Sequence, residues 1–252
     1  MFWPVRFVLI GAWRLKLIVM AAAAGFAVGM LRIIREEQRS WGISPSDARR
    51  AMPGDDLIAV PDISETRSLR IDASPDAVWP WLTQMGFGRG GWYSYDSIDM
   101  MGSSANELLP EYGELAEGDL VPTHATGGFE VRVVDPDQAL VLYLDSELVE
   151  RQLTSAEAEA ELSTEEEPAA LQAAGVLGGV SMSEFRATWA FELVPEADGS
   201  TRLVERMRFL TTGDGPMQQL SLPFMGMGVF VMTRKHMLGI KERAERLARE
   251  QG

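Results

Sequence analysis

The chain has 252 residues, 46% of them hydrophobic, with a formal charge of −14 from 23 basic and 37 acidic residues. An anionic body with no basic cluster is repelled by nucleic-acid phosphates, so nucleic-acid binding is excluded. The absence of cysteine removes disulfides, thiolate nucleophiles and cysteine metal sites. With two histidines outside any HExxH pattern, no metal site or cofactor motif is legible.

Residues 7–31 are apolar except for Arg14 and Lys16. The unbroken run Leu17–Leu31 makes only about 22 Å of helix at ~1.5 Å per residue. A bilayer core of ~30 Å therefore requires the span to borrow Phe7–Trp13, with Arg14 and Lys16 reaching toward headgroups. A cleaved signal peptide is the weaker reading, because apolar sequence continues past Ala21–Ala24. An interfacial helix would need a polar face that Leu17–Leu31 lacks. A single-pass membrane anchor over 1–40 is expected, its span about 7–31. Arg32, Arg35, Arg39, Arg49 and Arg50 follow the span and Arg6, Arg14 and Lys16 precede its centre, a bias toward a cytoplasmic body.

Residues 41–65 are turn-rich, broken by Pro45, Pro53, Gly54 and Pro61, and read as a lead-in crossing the surface of the domain. The body follows over 66–252. Thr66–Asp72 alternates as a strand, with Leu69 and Ile71 on one face and Arg67 and Arg70 the more polar positions. Ser74-Pro75-Asp76 opens a helix with a serine N-cap, and Ala77, Val78, Trp81, Leu82 and Met85 form its apolar stripe. A short helix is expected around 94–101. Strands are predicted over 119–123, 128–134, 139–144, 184–194 and 200–210, joined by turns such as "PEADGS", which implies an antiparallel meander. Between them, 145–179 carries nine acidic residues and reads as an insertion, partly helical and partly mobile, a solvated face before anything else. From about 221 to 249 one long helix is predicted, with Phe230, Thr233, Met237, Ile240, Ala244 and Leu247 as its stripe. His236, with Arg234 and Lys235, reads as its polar face.

The segment "WPWLTQMGFGRGGWYSYD" is the richest in the chain. Its glycines do not make a dinucleotide loop, which would leave a strand and enter a helix; this stretch does the reverse. The glycines instead permit a tight reversal that returns Trp92, Tyr93 and Tyr95 to the sheet, either as a pocket wall or as ordinary core.

The order "TRSLRIDASPDAVWPWLTQMGFGRGGWYSYD", "GDLV", "TWAFELVPEADGSTRLVERMRF" and "RKHMLGIKERAE" resembles the START-like superfamily, which includes polyketide cyclase-type, lipid-transfer and pollen-allergen proteins. Within it the chain is similar to a bacterial subgroup with an N-terminal hydrophobic helix. The resemblance implies an α+β helix-grip fold, a curved antiparallel sheet around the long C-terminal helix, with a cavity between them. It implies an apolar or amphipathic ligand, and Trp81, Trp92, Tyr93, Tyr95, Trp189, Met225, Met227 and Phe230 would line that cavity.

No GxSxG elbow or other catalytic set occurs. Asp96, near Asp99 and beside Tyr95, and His124, at a strand end, are the weak acid–base candidates; Asp96 as a helix cap and His124 as a surface residue are the plainer readings. An inward arginine among Arg132, Arg206 and Arg208 would hold a ligand carboxylate. The leading expectation is a membrane-anchored binding protein for a lipid- or isoprenoid-like molecule. The alternatives are a cyclase- or dehydrase-type lyase acting on a hydrophobic carbonyl substrate, and a partner-binding module that uses the acidic insertion. No signal for oligomeric state is present.

Overall fold

The computed structural model describes residues 39–99, 103–162, 184–211 and 216–251, with backbone alone for 99, 156–162 and 216–227. The expected span 7–31, the later insertion and the side chains of Met225 and Met227 lie outside the described residues. Among the described residues no helix is long and apolar enough to cross a membrane.

Six strands form one antiparallel sheet: β1 (Ile63–Ile71), β2 (Leu120–His124), β3 (Gly127–Asp135), β4 (Ala139–Asp145), β5 (Phe185–Pro195) and β6 (Thr201–Thr211). Their order is β1-β6-β5-β4-β3-β2. Each of β2 to β6 follows its neighbour through a hairpin or an excursion, and β1 closes the far edge by pairing with β6 from Ile63 with Phe209 to Ile71 with Thr201. Helix α1 (Pro75–Thr83) follows β1, α2 (Asp96–Asp99) is a single turn, α3 (Ser146–Leu162) lies in the acidic insertion, and α4 (Pro216–Gln251) closes the chain. A six-stranded curved sheet gripping a C-terminal helix is the helix-grip arrangement.

Proline at the first position starts α1, but its cap differs from expectation. Ser74 stands in extended backbone and its hydroxyl makes no cap; its carbonyl takes the Ala77 and Val78 N–H groups at 3.0 and 3.3 Å. The helix ends at Thr83 rather than Gly86.

Side-chain alternation assigns each strand two faces. The inner face, carrying Ile71, Leu140, Leu142, Phe191, Leu193 and Leu203, packs on Met237, Ile240 and Ala244 of α4 and on Val78, Trp81 and Leu82 of α1. The expected α4 stripe is the buried one, with Met237, Ile240 and Ala244 wholly buried.

The outer face is covered too, by the lead-in. Met52 and Ile58 are buried there, and the Arg206 guanidinium donates to the Ala48 and Arg50 carbonyls at 2.7 and 2.9 Å and pairs with Asp55 at 2.6 Å. Arg208 reaches the Asp55 and Ile58 carbonyls at 2.9 and 2.8 Å. These arginines therefore fasten the lead-in and do not face a ligand.

The acidic insertion begins as a docked helix. Leu148 is buried, and the Gln152 amide exchanges two hydrogen bonds with Gly128 of β3, at 3.1 and 2.9 Å.

Candidate functional site

The inner face carries charge at its β1–β6 edge. Alternation places Glu65 and Arg67 on the side of Leu69 and Ile71, so Arg67 is an inner-face residue, not a polar outer one. Arg67 pairs in register with Glu205 of β6. Its guanidinium donates to Glu205 Oε2 at 3.4 Å and to Glu65 Oε2, and Glu205 Oε1 accepts the Trp189 indole N–H at 2.6 Å. Arg67 and Glu205 are fully buried. Burial pushes the Glu205 carboxyl above its ordinary range, against the opposing pull of Arg67 and the Trp189 N–H. From α4, the Phe230 ring lies 5.5 Å from the Arg67 guanidinium.

Next to this trio stands an aromatic wall. Trp92 stacks on Trp189 with centroids 5.4 Å apart, and Phe129 and Phe191 flank Trp189 at 5.9 and 5.1 Å. His236, only 2% exposed, lies within the wall rather than on the polar face of α4. Its ring is 5.3 Å from Trp189, 5.8 Å from Phe191 and 6.1 Å from Tyr93, on which it stacks. Its Nδ1 is 2.5 Å from the Trp92 carbonyl. A carbonyl only accepts, so Nδ1 carries the proton and Nε2 presents a lone pair. That Nε2 is buried with no hydrogen-bond partner among the described residues. Burial pulls the imidazole down to about 4, so it is neutral at pH 7.

The glycine segment positions this wall. Gly86 and Gly91 exchange backbone hydrogen bonds at 3.0 and 3.1 Å, which closes the reversal and returns Trp92 to the sheet. Tyr93 sits at φ 52, a conformation that costs a β-carbon residue of order 1 kcal/mol or more and must be held by its surroundings. Ser104 Oγ accepts the Tyr93 N–H at 3.0 Å and donates to Asp96 Oδ1 at 2.5 Å. Asp96 thus anchors the loop that presents Trp92 and Tyr93.

From the other side, Gly239 of α4 lets the helix approach. A β-carbon there would lie 2.1 Å from the Tyr93 carbonyl oxygen, whereas one at Gly228 would meet open space. Gly239→Ala should therefore cost about 1–3 kcal/mol despite its better helix propensity, with a change in tryptophan fluorescence. Gly228→Ala should gain up to about 1 kcal/mol, and urea unfolding of both variants checks the pair.

Of the residues predicted to form a cavity wall, Trp92, Tyr93 and Trp189 are brought together around His236, and Phe230 lies against the Arg67 guanidinium. Trp81 lies behind Tyr93, edge-on at 5.9 Å. Tyr95 is 41% exposed and stands outside the buried cluster. His124, at the exposed end of β2, accepts the Thr126 N–H on Nδ1 at 3.3 Å, away from the inner-face trio. Glu65, Arg67, Glu205 and His236 were not among the predicted site residues. The available signal was alternation: Arg67 shares parity with Ile71, and Glu205 with Leu203. Among the described residues no group of three acidic or histidine side chains is placed to hold a metal.

No protein-family model matches the chain, and no curated protein does. Among solved structures, the chain is similar to protein MLL2253 from Mesorhizobium loti at 16% identity, over 73% of this chain and 98% of that one, with a TM-score of 0.35. It is similar to Ara h 8.0201 at 11% identity, over 75% and 98%, TM-score 0.35. CalU16 from Micromonospora echinospora matches at 15% identity over 74% and 86%, TM-score 0.29. At these scores the fold assignment stands on strand order and helix placement.

Proposed function

We propose that the chain is a membrane-anchored binding protein whose body takes an apolar or amphipathic small molecule, lipid- or isoprenoid-like, between the inner face of the sheet and α4. The observation that carries this reading is the joining, on one buried face, of a flat aromatic wall with a buried charged trio. Aromatic faces supply apolar contact area, and a few convergent polar groups fix orientation, the composition of a small-molecule site. The apolar segment 7–31 supports attachment by a single pass, with the body on the cytoplasmic side, close to a source of such ligands.

Native mass spectrometry of the detergent-extracted full chain tests the reading. A lipid-sized adduct that survives delipidating washes is expected, and Trp189→Ala should lose it. Repeated recovery of bare protein, with no thermal shift across a lipid panel, would sink the proposal.

A second reading, a lyase acting on a hydrophobic carbonyl compound, is favoured by one observation: a carboxyl pushed toward its protonated form and a neutral imidazole whose Nε2 has no partner among the described residues both adjoin Trp189. In that reading Glu205 and His236 are the acid and base, in place of Asp96 and His124. Enolisation is the elementary step, and deuterium uptake next to the carbonyl of 2-tridecanone in D2O measures it. Uptake that exceeds the buffer rate and vanishes in Glu205→Gln would support it, and buffer-rate uptake dismisses it.

A further inference from the structure

The polar end of the site has a sign. Glu65 and Glu205 are two carboxylates around one guanidinium, and on the opposite face of the sheet Arg206 and Arg208 are occupied by Asp55. Among the described residues no second strand cation joins the trio on the inner face. Acidic groups outnumber the cation there by two to one. Arg67 and the Trp189 N–H supply the trio's donors and Glu65 and Glu205 its acceptors; His236, whose Nε2 has no partner among the described residues, belongs to the adjoining aromatic wall, its ring 5.3 Å from that of Trp189. Beside them lie the Trp92 and Trp189 faces. Carboxylates next to stacked indoles are the surroundings that hold an ammonium group, through charge-assisted hydrogen bonds and ring quadrupoles. Glu65, with 11% of its side chain exposed, is the member of the trio nearest solvent.

We infer that the ligand of this site is an amphiphile with a cationic amine head, seated against Glu65 and Glu205 with its chain along the Trp92–Trp189 wall. The inference rests on the binding reading above and adds the headgroup. A carboxylate head would bring a third acidic group beside one guanidinium, and an alcohol would leave the acidic excess of the trio unneutralised.

Dodecylamine, dodecanol and dodecanoic acid share one chain and separate the heads. Binding to the full chain in mild detergent is followed by quenching of tryptophan fluorescence. Dodecylamine is expected to bind about tenfold or more tighter than dodecanoic acid, with the alcohol between them. Glu205→Gln and Glu65→Gln, which keep shape, should each erase most of that preference while the alcohol's affinity stays within about threefold. Dodecanoic acid binding as tightly as the amine, or a preference untouched in both folded variants, overturns the headgroup assignment alone. No binding by any of the three removes the binding reading and this inference with it.

Discussion

Replacing Arg67 by methionine is expected to destabilise the protein by about 3–5 kcal/mol at neutral pH, the cost of leaving buried carboxylates without their counter-charge. Arg67 is fully buried and holds both Glu205 and Glu65. Without it, the Trp189 N–H is the donor left to Glu205 among the described residues, and burial drives its carboxyl further toward the protonated form. The sign with pH follows. A carboxyl whose folded value is raised contributes stability below its unfolded value and loses it as pH rises through the folded one. The Arg67→Met penalty should therefore shrink toward acid pH and grow toward neutrality. The triple replacement Glu65→Leu, Arg67→Met, Glu205→Leu should return to within about 1–2 kcal/mol of the parent or exceed it, because well-packed apolar groups match a buried ion array. It should also abolish amine binding. Urea unfolding of the full chain, followed by tryptophan fluorescence at two pH values, measures these effects. If the triple variant is as unstable as Arg67→Met, the trio is part of the fold's stability rather than a binding device.

The second large effect belongs to His236. Its folded value of about 4 lies below the ordinary value of 6.5. Between these values the unfolded chain binds a proton that the folded chain excludes, so stability is lost as pH falls from about 6.5 to about 4. The whole contribution is of order 3 kcal/mol, at about 1.4 kcal/mol for each pH unit between the two values. The raised Glu205 carboxyl contributes with opposite sign, so the parent is compared with His236→Phe. The variant loses the hydrogen bond to the Trp92 carbonyl, a cost that does not vary with pH. The parent's advantage at pH 7 should shrink by about 3 kcal/mol at pH 4 and reverse if the hydrogen bond is worth less. Parallel stability curves would mean that the folded protein accepts the proton on His236.

The two experiments also bear on function. If Glu205 and His236 act on a bound carbonyl compound, the replacements that leave the fold intact abolish turnover. If the site only binds, the same replacements change affinity and headgroup preference.

Much of the architecture was legible because it is written in local patterns. The strand at 63–71 began three residues before the predicted start, and α4 five residues before its own, but each element was present with its type and neighbours. "PEADGS" made the β5–β6 hairpin, with Gly199 at φ 84 in the turn. The α4 stripe at three- and four-residue spacing is the buried face. The Gly86–Gly91 reversal returned Trp92 and Tyr93 to the core, as the glycines implied.

The charged centre was not legible, and for one reason. Alternation says that Arg67 and Ile71 share a face; it does not say which face α4 covers, and here the lead-in buries the other face as well. Arg67 and Arg206 are both buried, on opposite sides, and nothing local separates them. The partner that makes Arg67 tolerable, Glu205, is 138 residues away, fixed by strand register alone. His236 misled in the same way. Beside Arg234 and Lys235 it reads as polar surface, yet one step around the helix turns it into an aromatic wall built from β5 and the glycine loop. By itself the sequence determined an anionic, cysteine-free α+β chain with an apolar N-terminal segment, a meander and a long closing helix, because these follow from composition and short-range periodicity. Only the tertiary structure decided where its charges and its one buried imidazole meet, because burial and pairing are set by which distant faces come together.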